Sequence, residues 1–165
     1  MSYFRITAEQ YVPISVEQAW EFLSNPANLS LITPPQMNFE ILSGGGLPMY
    51  AGQVIHYNVS PFKGIRTRWV TEITHVEDPF FFVDEQRFGP YAFWHHKHFI
   101  HPVEGGVRME DIVDYKLPFG PLGRWMHSLL VKSRLNGIFS FRESELKRRF
   151  GEIPGRKAHL QIQSV

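Results

Sequence analysis

The feature that most constrains this fold is a long stretch of alternating sequence followed by one long helical pattern. Apolar and polar residues alternate through most of residues 36–118, which is typical of β-strands that bury one face. Residues 122–149 instead carry apolar residues in steps of three and four, which is typical of an amphipathic helix. The apolar face of such a sheet needs a cover, and this helix is the segment long enough to provide it. We therefore expect an α+β fold in which a curved antiparallel sheet of six or seven strands wraps around the C-terminal helix.

The segments on either side of these two patterns complete the expected architecture. Residues 3–12 alternate as a first strand, and Ser15 is a suitable N-cap for a short helix after it. Pro26 breaks this helix and predicts a second short one. We expect a single domain over residues 1–150 and, because the rest is polar, a flexible tail over residues 151–165.

Composition and charge exclude several classes of protein. The chain has 165 residues, of which 43% are hydrophobic and 20% charged, and this composition is globular rather than disordered. It has no cysteine, which excludes disulfides, thiolate metal sites and a cysteine nucleophile. A net charge of +1 gives no reason to expect nucleic-acid binding. No apolar run reaches the roughly 18 residues of a membrane span. The first residues are followed by polar residues and Glu9, so we do not expect them to act as a secretion signal. We expect a cytoplasmic protein without stable membrane insertion.

A predicted hairpin near the end of the alternating stretch brings several polar residues together. If Gly105-Gly106 is the turn, Lys97 lies opposite Asp114 and His101 lies opposite Glu110. These complementary charges indicate the outward face of the hairpin. The inward face then holds Trp94, His96, His98 and Ile100 on one strand, opposite Leu117, Tyr115, Val113 and Asp111 on the other.

Four polar residues on this mostly apolar face are the best functional candidates: His96, His98, Asp111 and Tyr115. Three interpretations stay open at this point. The four groups can anchor a polar part of a ligand, form an internal hydrogen-bond network, or carry out acid/base catalysis, because histidine titrates near neutral pH. Histidine and aspartate are also metal ligands, but two histidines on one strand are a weak signal, and we expect no metal and no cofactor.

Two further patterns lie on the long helix. Its three- and four-residue steps run from Leu122 through Met126 to Ser133 and Gly137, and the small residues on this face predict space for a cavity. Its basic end, Arg142 together with residues 147–149, is expected to complement the negative end of the helix dipole, and a weak contact with anionic lipid or a partner is the alternative.

Local motifs then point to a family. The sequence reads WVTEI at residues 69–73, FVDEQ at 82–86, GPY at 89–91, WHHKH at 94–98 and DIVDYKLPFGPLG at 111–123. With the order of elements, these motifs resemble the START and birch-pollen-allergen helix-grip superfamily, also called SRPBCC or polyketide cyclase-like, and within it a bacterial ligand-binding subgroup. The resemblance covers residues 3–150. It implies an internal cavity for an apolar or amphipathic small molecule, but not a particular reaction, because members include binders, carriers and enzymes.

The first hypothesis is therefore binding, transport or sensing of such a molecule between the sheet and the helix. One alternative is a cofactor-free cyclase or dehydratase that uses the same polar groups, so whether the chain is an enzyme stays open. Another is a protein-interaction module with a filled core, as the cell-division-inhibitor-like label in the family implies. The sequence leaves the oligomeric state undetermined. The expected ligand-binding residues are Trp69, Trp94, His96, His98, Ile100, Asp111, Val113, Tyr115, Phe119 and Met126.

Overall fold

An open antiparallel sheet of eight strands curves around a C-terminal helix in the computed structural model. The structure describes residues 3–62 and 64–165, except the side chains of residues 121, 124 and 126–128. The strands are β1 (Phe4–Val12), β2 (Glu40–Ser43), β3 (Val54–Phe62), β4 (Ile65–Glu77), β5 (Phe81–Phe88), β6 (Phe93–Val103), β7 (Gly106–Lys116) and β8 (His159–Ser164). Their order across the sheet is β2-β3-β4-β5-β6-β7-β1-β8.

The helices follow the predicted pattern in part. After β1 come α1 (Val16–Leu23) and two 3₁₀ helices, Pro26–Ile32 and Pro35–Met37. Ser15 caps α1, because its hydroxyl accepts from the backbone of Gln18 while the Gln18 side chain accepts from the Ser15 backbone. The C-terminal part consists of α2 (Gly120–Met126), a π-helical turn (His127–Val131) and α3 (Lys132–Phe150).

The sheet has eight strands instead of the six or seven expected, and the additional strand β8 pairs antiparallel with β1. Residues 159–164 therefore form a strand, whereas their polar composition predicts a flexible tail. The reason is that β8 is an edge strand whose outer face meets solvent, so few apolar residues are required. Ile162 lies opposite Ile6 and belongs to the apolar core.

The β6–β7 hairpin has the predicted inward face but not the predicted register. Its turn is Glu104-Gly105 rather than Gly105-Gly106, and His98 lies opposite Asp111 instead of Val113. Gly106 belongs to the strand because the end of β1 passes close by, and a Cβ on Gly106 would lie 2.2 Å from the carbonyl oxygen of Val12. A shift of two residues keeps every side chain on its face, so the inward set is unchanged.

The face that α3 turns to the sheet differs from the predicted one. Its buried residues are Leu135, Phe139, Arg142 and Leu146, whereas Ser133 and Gly137 are exposed. The apolar residues of α3 explain the difference, because Leu135, Phe139 and Leu146 follow each other in steps of four and seven and form its buried face, whereas the predicted stripe runs through small residues. The small residues therefore face solvent and do not line a cavity. Among the described residues, no helix combines the length and the apolar sequence needed to cross a membrane.

Candidate functional site

A cavity of about 380 Å³ lies between the inner face of the sheet and α3. Strand residues such as Ile55 and Ile73 and helix residues such as Ile138 form mostly apolar walls. The 3₁₀ helix Pro26–Ile32 contributes further apolar side chains. This volume falls within the range of roughly 300–1,000 Å³ that is common for small-molecule sites.

One wall of the cavity is aromatic and consists of Tyr57, Trp69, Tyr91 and Trp94. The Trp69 ring is stacked on Tyr57 at a centroid distance of 6.0 Å and meets Trp94 edge-on at 5.5 Å. The Trp69 indole donates to the Thr71 hydroxyl over 3.0 Å, so its polar group already has a partner. Burial raises the pKa of Tyr57 and of Tyr91 far above neutral pH, so both phenols stay protonated.

A cluster of charged and titratable side chains lies at another part of the wall, and three adjacent strands supply it. Asp84 on β5 lies directly across from His96 on β6, and His98 on β6 lies directly across from Asp111 on β7. His98 Nε2 is 2.7 Å from Asp84 Oδ2, and His96 Nε2 is 3.0 Å from Asp111 Oδ1. The two imidazole centroids are only 3.7 Å apart. We call Asp84, His96, His98, Asp111 and Arg142 the buried charge cluster.

Arg142 extends this cluster from the helix side. Its Nη2 donates to Asp111 Oδ1 over 3.1 Å, and the residue is 91% buried, since only 9% of its surface is exposed. The sequence predicts that Arg142 complements the dipole of the helix, and this is wrong because the side chain points into the core and pairs with Asp111. Asp111 thus contacts both histidines and the guanidinium, and it joins the sheet to α3.

The contacts around His96 and His98 are not equivalent. His98 Nδ1 lies 2.9 Å from Asp111 Oδ1, but the approach is too oblique for a hydrogen bond. Both ring nitrogens of His98 therefore lie near a carboxylate. His96 makes its hydrogen bond through Nε2, and its Nδ1 lies 3.5 Å from Asp84 Oδ2.

These contacts push the pKa values of the cluster in different directions. Burial alone would lower the pKa of His98, but its contacts with Asp111 and Asp84 outweigh burial and raise it. Burial and the positive charge of His98 lower the pKa of His96. Burial would raise the pKa of Asp111, but the Arg142 charge and the histidine contacts hold it well below its usual range. Burial would likewise raise the pKa of Asp84, yet the histidines lower it.

The structure divides the expected ligand-binding residues into two groups. Trp69, Trp94, His96, His98 and Phe119 line the cavity. The remaining described residues do not line it: Ile100, Val113 and Tyr115 are fully buried behind the wall, and Asp111 lies behind the histidines that it contacts. The side chain of Met126 is outside the described part of the structure.

Two members of the charge cluster are absent from the sequence-based set. The inward position of Asp84 could not be predicted, because four consecutive apolar residues, Phe80 to Val83, precede it and do not indicate which face of the strand is inward. The signal for Arg142 was its spacing, since it lies between Phe139 and Leu146 on the helical repeat that the core uses. A basic residue on an apolar stripe predicts a buried partner, and Asp111 is that partner.

Comparison with known proteins identifies the fold of the chain. No family model matches the sequence, and no curated protein matches it. Solved structures do match. The chain is similar to Ara h 8.0201, a birch-pollen-allergen-like protein, with a TM-score of 0.58 and 17% identity over 88% of this chain and 99% of that one. The chain has the helix-grip fold.

Bacterial proteins share the helix-grip fold with this chain. Protein CV1439 from Chromobacterium violaceum aligns with a TM-score of 0.68 and 10% identity, over 90% of this chain and 99% of that one. TTHA0849 from Thermus thermophilus aligns with a TM-score of 0.61 and 16% identity, over 88% and 98%. The expected architecture of a sheet around a C-terminal helix is therefore confirmed, and the activity has to be argued from the cavity.

Proposed function

We propose that this protein binds a small molecule that is mostly apolar and carries one polar group. The observation that supports this most strongly is the cavity of about 380 Å³, whose walls are largely apolar and aromatic. An apolar ligand that enters such a space removes apolar surface from water on both sides, and this favours binding. The interaction-module hypothesis required a filled core, so the cavity favours ligand binding over it.

The charge cluster indicates where the polar group of the ligand would lie. Asp84, His96, His98 and Arg142 all contribute to the cavity wall, and apolar residues surround them. A few polar groups in an apolar pocket fix the orientation of a ligand and select for groups that can hydrogen-bond. We expect the apolar part of the ligand to lie against Trp69 and Trp94, with its polar group toward the histidines.

Native mass spectrometry on the protein purified from cells tests this proposal, followed by denaturing extraction of any bound molecule. The emptied protein is then titrated with a neutral naphthylamine fluorophore. We expect about one apolar molecule per chain, as one cavity implies. Ile138→Trp places an indole ring in the cavity and should abolish binding. Ser140→Trp adds the same ring to the exposed side of α3 and should bind as well as the wild type. Equal binding by the two variants would contradict the proposal.

The arrangement around His96 favours a second candidate function, that of a cofactor-free cyclase or dehydratase. His96 lines the cavity, and Asp111 holds its Nε2 from behind over 3.0 Å, which leaves Nδ1 on the side of Asp84. A histidine that a carboxylate orients in this way can accept a proton from a bound molecule. If the extracted molecule is a substrate, His96→Gln should stop its turnover and leave its binding intact.

A further inference from the structure

We propose that Asp84, His96 and His98 form a binding site for one divalent transition-metal ion, of the class that includes Zn²⁺ and Fe²⁺. The proposal does not rest on the ligand-binding function. It concerns three side chains that lie on the wall of the cavity, and each offers one ligand atom. Two imidazoles and one carboxylate are a donor set that these ions accept.

The distances between the donor atoms suit a single ion. The three donor atoms all lie within 4.8 Å of one another. Asp84 Oδ2 is 2.7 Å from His98 Nε2 and 3.5 Å from His96 Nδ1. Two ligands of one ion at bond lengths of about 2.1 Å lie about 3.0–3.4 Å apart in octahedral or tetrahedral geometry. Small side-chain rotations therefore bring all three atoms to bonding distance.

The other nitrogen of each ring provides a second, independent argument. His96 Nε2 is hydrogen-bonded to Asp111 Oδ1 over 3.0 Å, and His98 Nδ1 lies 2.9 Å from the same atom, from which a small rotation of the ring would align it for a hydrogen bond. Histidines that bind a metal usually direct their second nitrogen to a carboxylate, which fixes the ring and its tautomer. In this site one carboxylate lies behind both rings, and Arg142 holds that carboxylate from the helix.

Charge also favours a cation at this position. With both imidazoles neutral, the two carboxylates and the Arg142 guanidinium leave the cluster with one negative charge in a buried environment. A divalent ion among the three donors would bind the Asp84 carboxylate and lie near the Asp111 carboxylate, and both would stabilise its charge.

Such a site would be open to the cavity. The three donors come from neighbouring strands on one face of the sheet, so they bind an ion from one side only. The remaining coordination positions would be directed into the cavity, where water or an oxygen atom of a bound molecule can occupy them. A hydroxyl, carbonyl or carboxylate oxygen would suit these positions.

Metal binding is tested on the full chain without a histidine tag, after treatment with a chelator and buffer exchange. Titration calorimetry with Zn²⁺ and metal analysis after gel filtration should show one ion per chain. Asp84→Asn and His96→Gln should lose this stoichiometric binding. Asp111→Asn should bind more weakly by about 10- to 100-fold, because it removes the support behind the rings.

The control is His95→Gln on the same strand. His95 lies on the opposite face of β6, with its Nε2 3.8 Å from Glu85 Oε1, so it is also a histidine near a carboxylate. We expect His95→Gln to bind Zn²⁺ like the wild type. If the wild type binds no stoichiometric Zn²⁺, or if only His95→Gln loses it, the proposal is wrong.

A spectroscopic measurement keeps the proposal testable if a site variant fails to fold. Long-range ¹H–¹⁵N NMR of the wild type reports which imidazole nitrogen carries a metal. Zn²⁺ should move the signals of His96 Nδ1 and His98 Nε2 and leave those of His95 unchanged. Shifts confined to other histidines would overturn the proposal. The metal experiments need no organic ligand. Failure to bind Zn²⁺ would therefore not contradict the proposed ligand binding, and failure to bind the fluorophore would not contradict the metal site.

Discussion

At the scale of single residues, Asp111 connects more charged partners than any other side chain of the buried charge cluster. It contacts His96, His98 and Arg142, and it lies between the apolar residues Met109 and Val113 on β7. An isolated buried charge is costly, whereas a buried charge with partners is tolerated. The loss of Asp111 would leave Arg142 buried without its partner.

We therefore predict that Asp111→Asn lowers the free energy of unfolding by about 3–5 kcal/mol, the usual effect of breaking a buried ion pair. Urea denaturation measures this loss. The matched control is Asp114→Asn on the same strand, because Asp114 pairs with Arg5 and Lys97 on the outer face. Loss of this partly exposed ion pair should lower the free energy of unfolding by only about 1 kcal/mol. Equal losses in the two variants would show that Asp111 carries no special role.

Asp114 also gives a prediction for the dependence of stability on pH. Partial burial would raise its pKa, but hydrogen bonds from Arg5 and Lys97 outweigh burial and lower it. A carboxyl group with a lowered pKa in the folded state stabilises the protein above its unfolded pKa, which is about 3.9. This contribution is lost as the pH falls through the folded pKa. The difference in stability between wild type and Asp114→Asn should therefore shrink below about pH 4. A constant difference down to pH 2 would contradict the assignment.

Single residues also show how far the sequence could predict the site. The alternation of β6 was sufficient to place His96 and His98 on the inner face, because a strand has a fixed period of two. Asp84 could not be placed, since four apolar residues in succession precede it. Arg142 needed knowledge of which helix face is buried, and the predicted stripe through Ser133 and Gly137 lies on the exposed face.

At the scale of elements, the hairpin shows why complementary charges did not determine the register. The expected partners do meet: Lys97 Nζ lies 3.1 Å from Asp114 Oδ2, and His101 Nε2 lies 3.0 Å from Glu110 Oε2. In the actual register these residues are diagonal neighbours and do not lie directly opposite. Long side chains reach diagonal neighbours as easily as opposite ones. The turn at Glu104-Gly105 determines the register instead, because Gly105 has a positive φ of 84°, which a tight turn requires and glycine adopts readily.

Two glycine substitutions compare a glycine packed against a neighbouring strand with a glycine on the exposed face of a helix. Gly106→Ala should destabilise the protein by about 1–3 kcal/mol, because Gly106 has a φ of +155°, which alanine rarely adopts, and because the new Cβ would overlap the Val12 carbonyl oxygen. Gly137→Ala on the exposed face of α3 should stabilise it by up to about 1 kcal/mol, because no atom lies within 4 Å of the new Cβ and alanine favours helix. Thermal and urea unfolding measure both. The same sign for the two variants would contradict this explanation.

At the scale of the whole molecule, the buried charge cluster lies between two apolar cores. One core contains Val113 and Phe139, and the other contains Met109 and Leu146. Asp111 and Arg142 occupy the positions between these pairs on β7 and α3. Local sequence could predict a sheet around a helix, because periodicity is local. The sequence also predicted a cavity, but the small helix residues expected to line it face solvent. The position and walls of the cavity depend on how far the helix stands from the sheet, and local periodicity does not contain that distance.

The eighth strand provides a prediction about the molecule as a whole. Without β8, the edge of β1 would present unpaired backbone groups, and such edges recruit strands from other molecules. A chain that ends at Lys157 should therefore be less stable than the full chain and should self-associate more strongly, as light scattering after gel filtration would show. Ile162→Ala is the control, because it removes a core side chain but leaves the backbone of β8 in place. It should lower the free energy of unfolding by about 2 kcal/mol without additional association. If the truncated chain and Ile162→Ala associate to the same extent, loss of core contacts explains the association, and protection of the β1 edge does not.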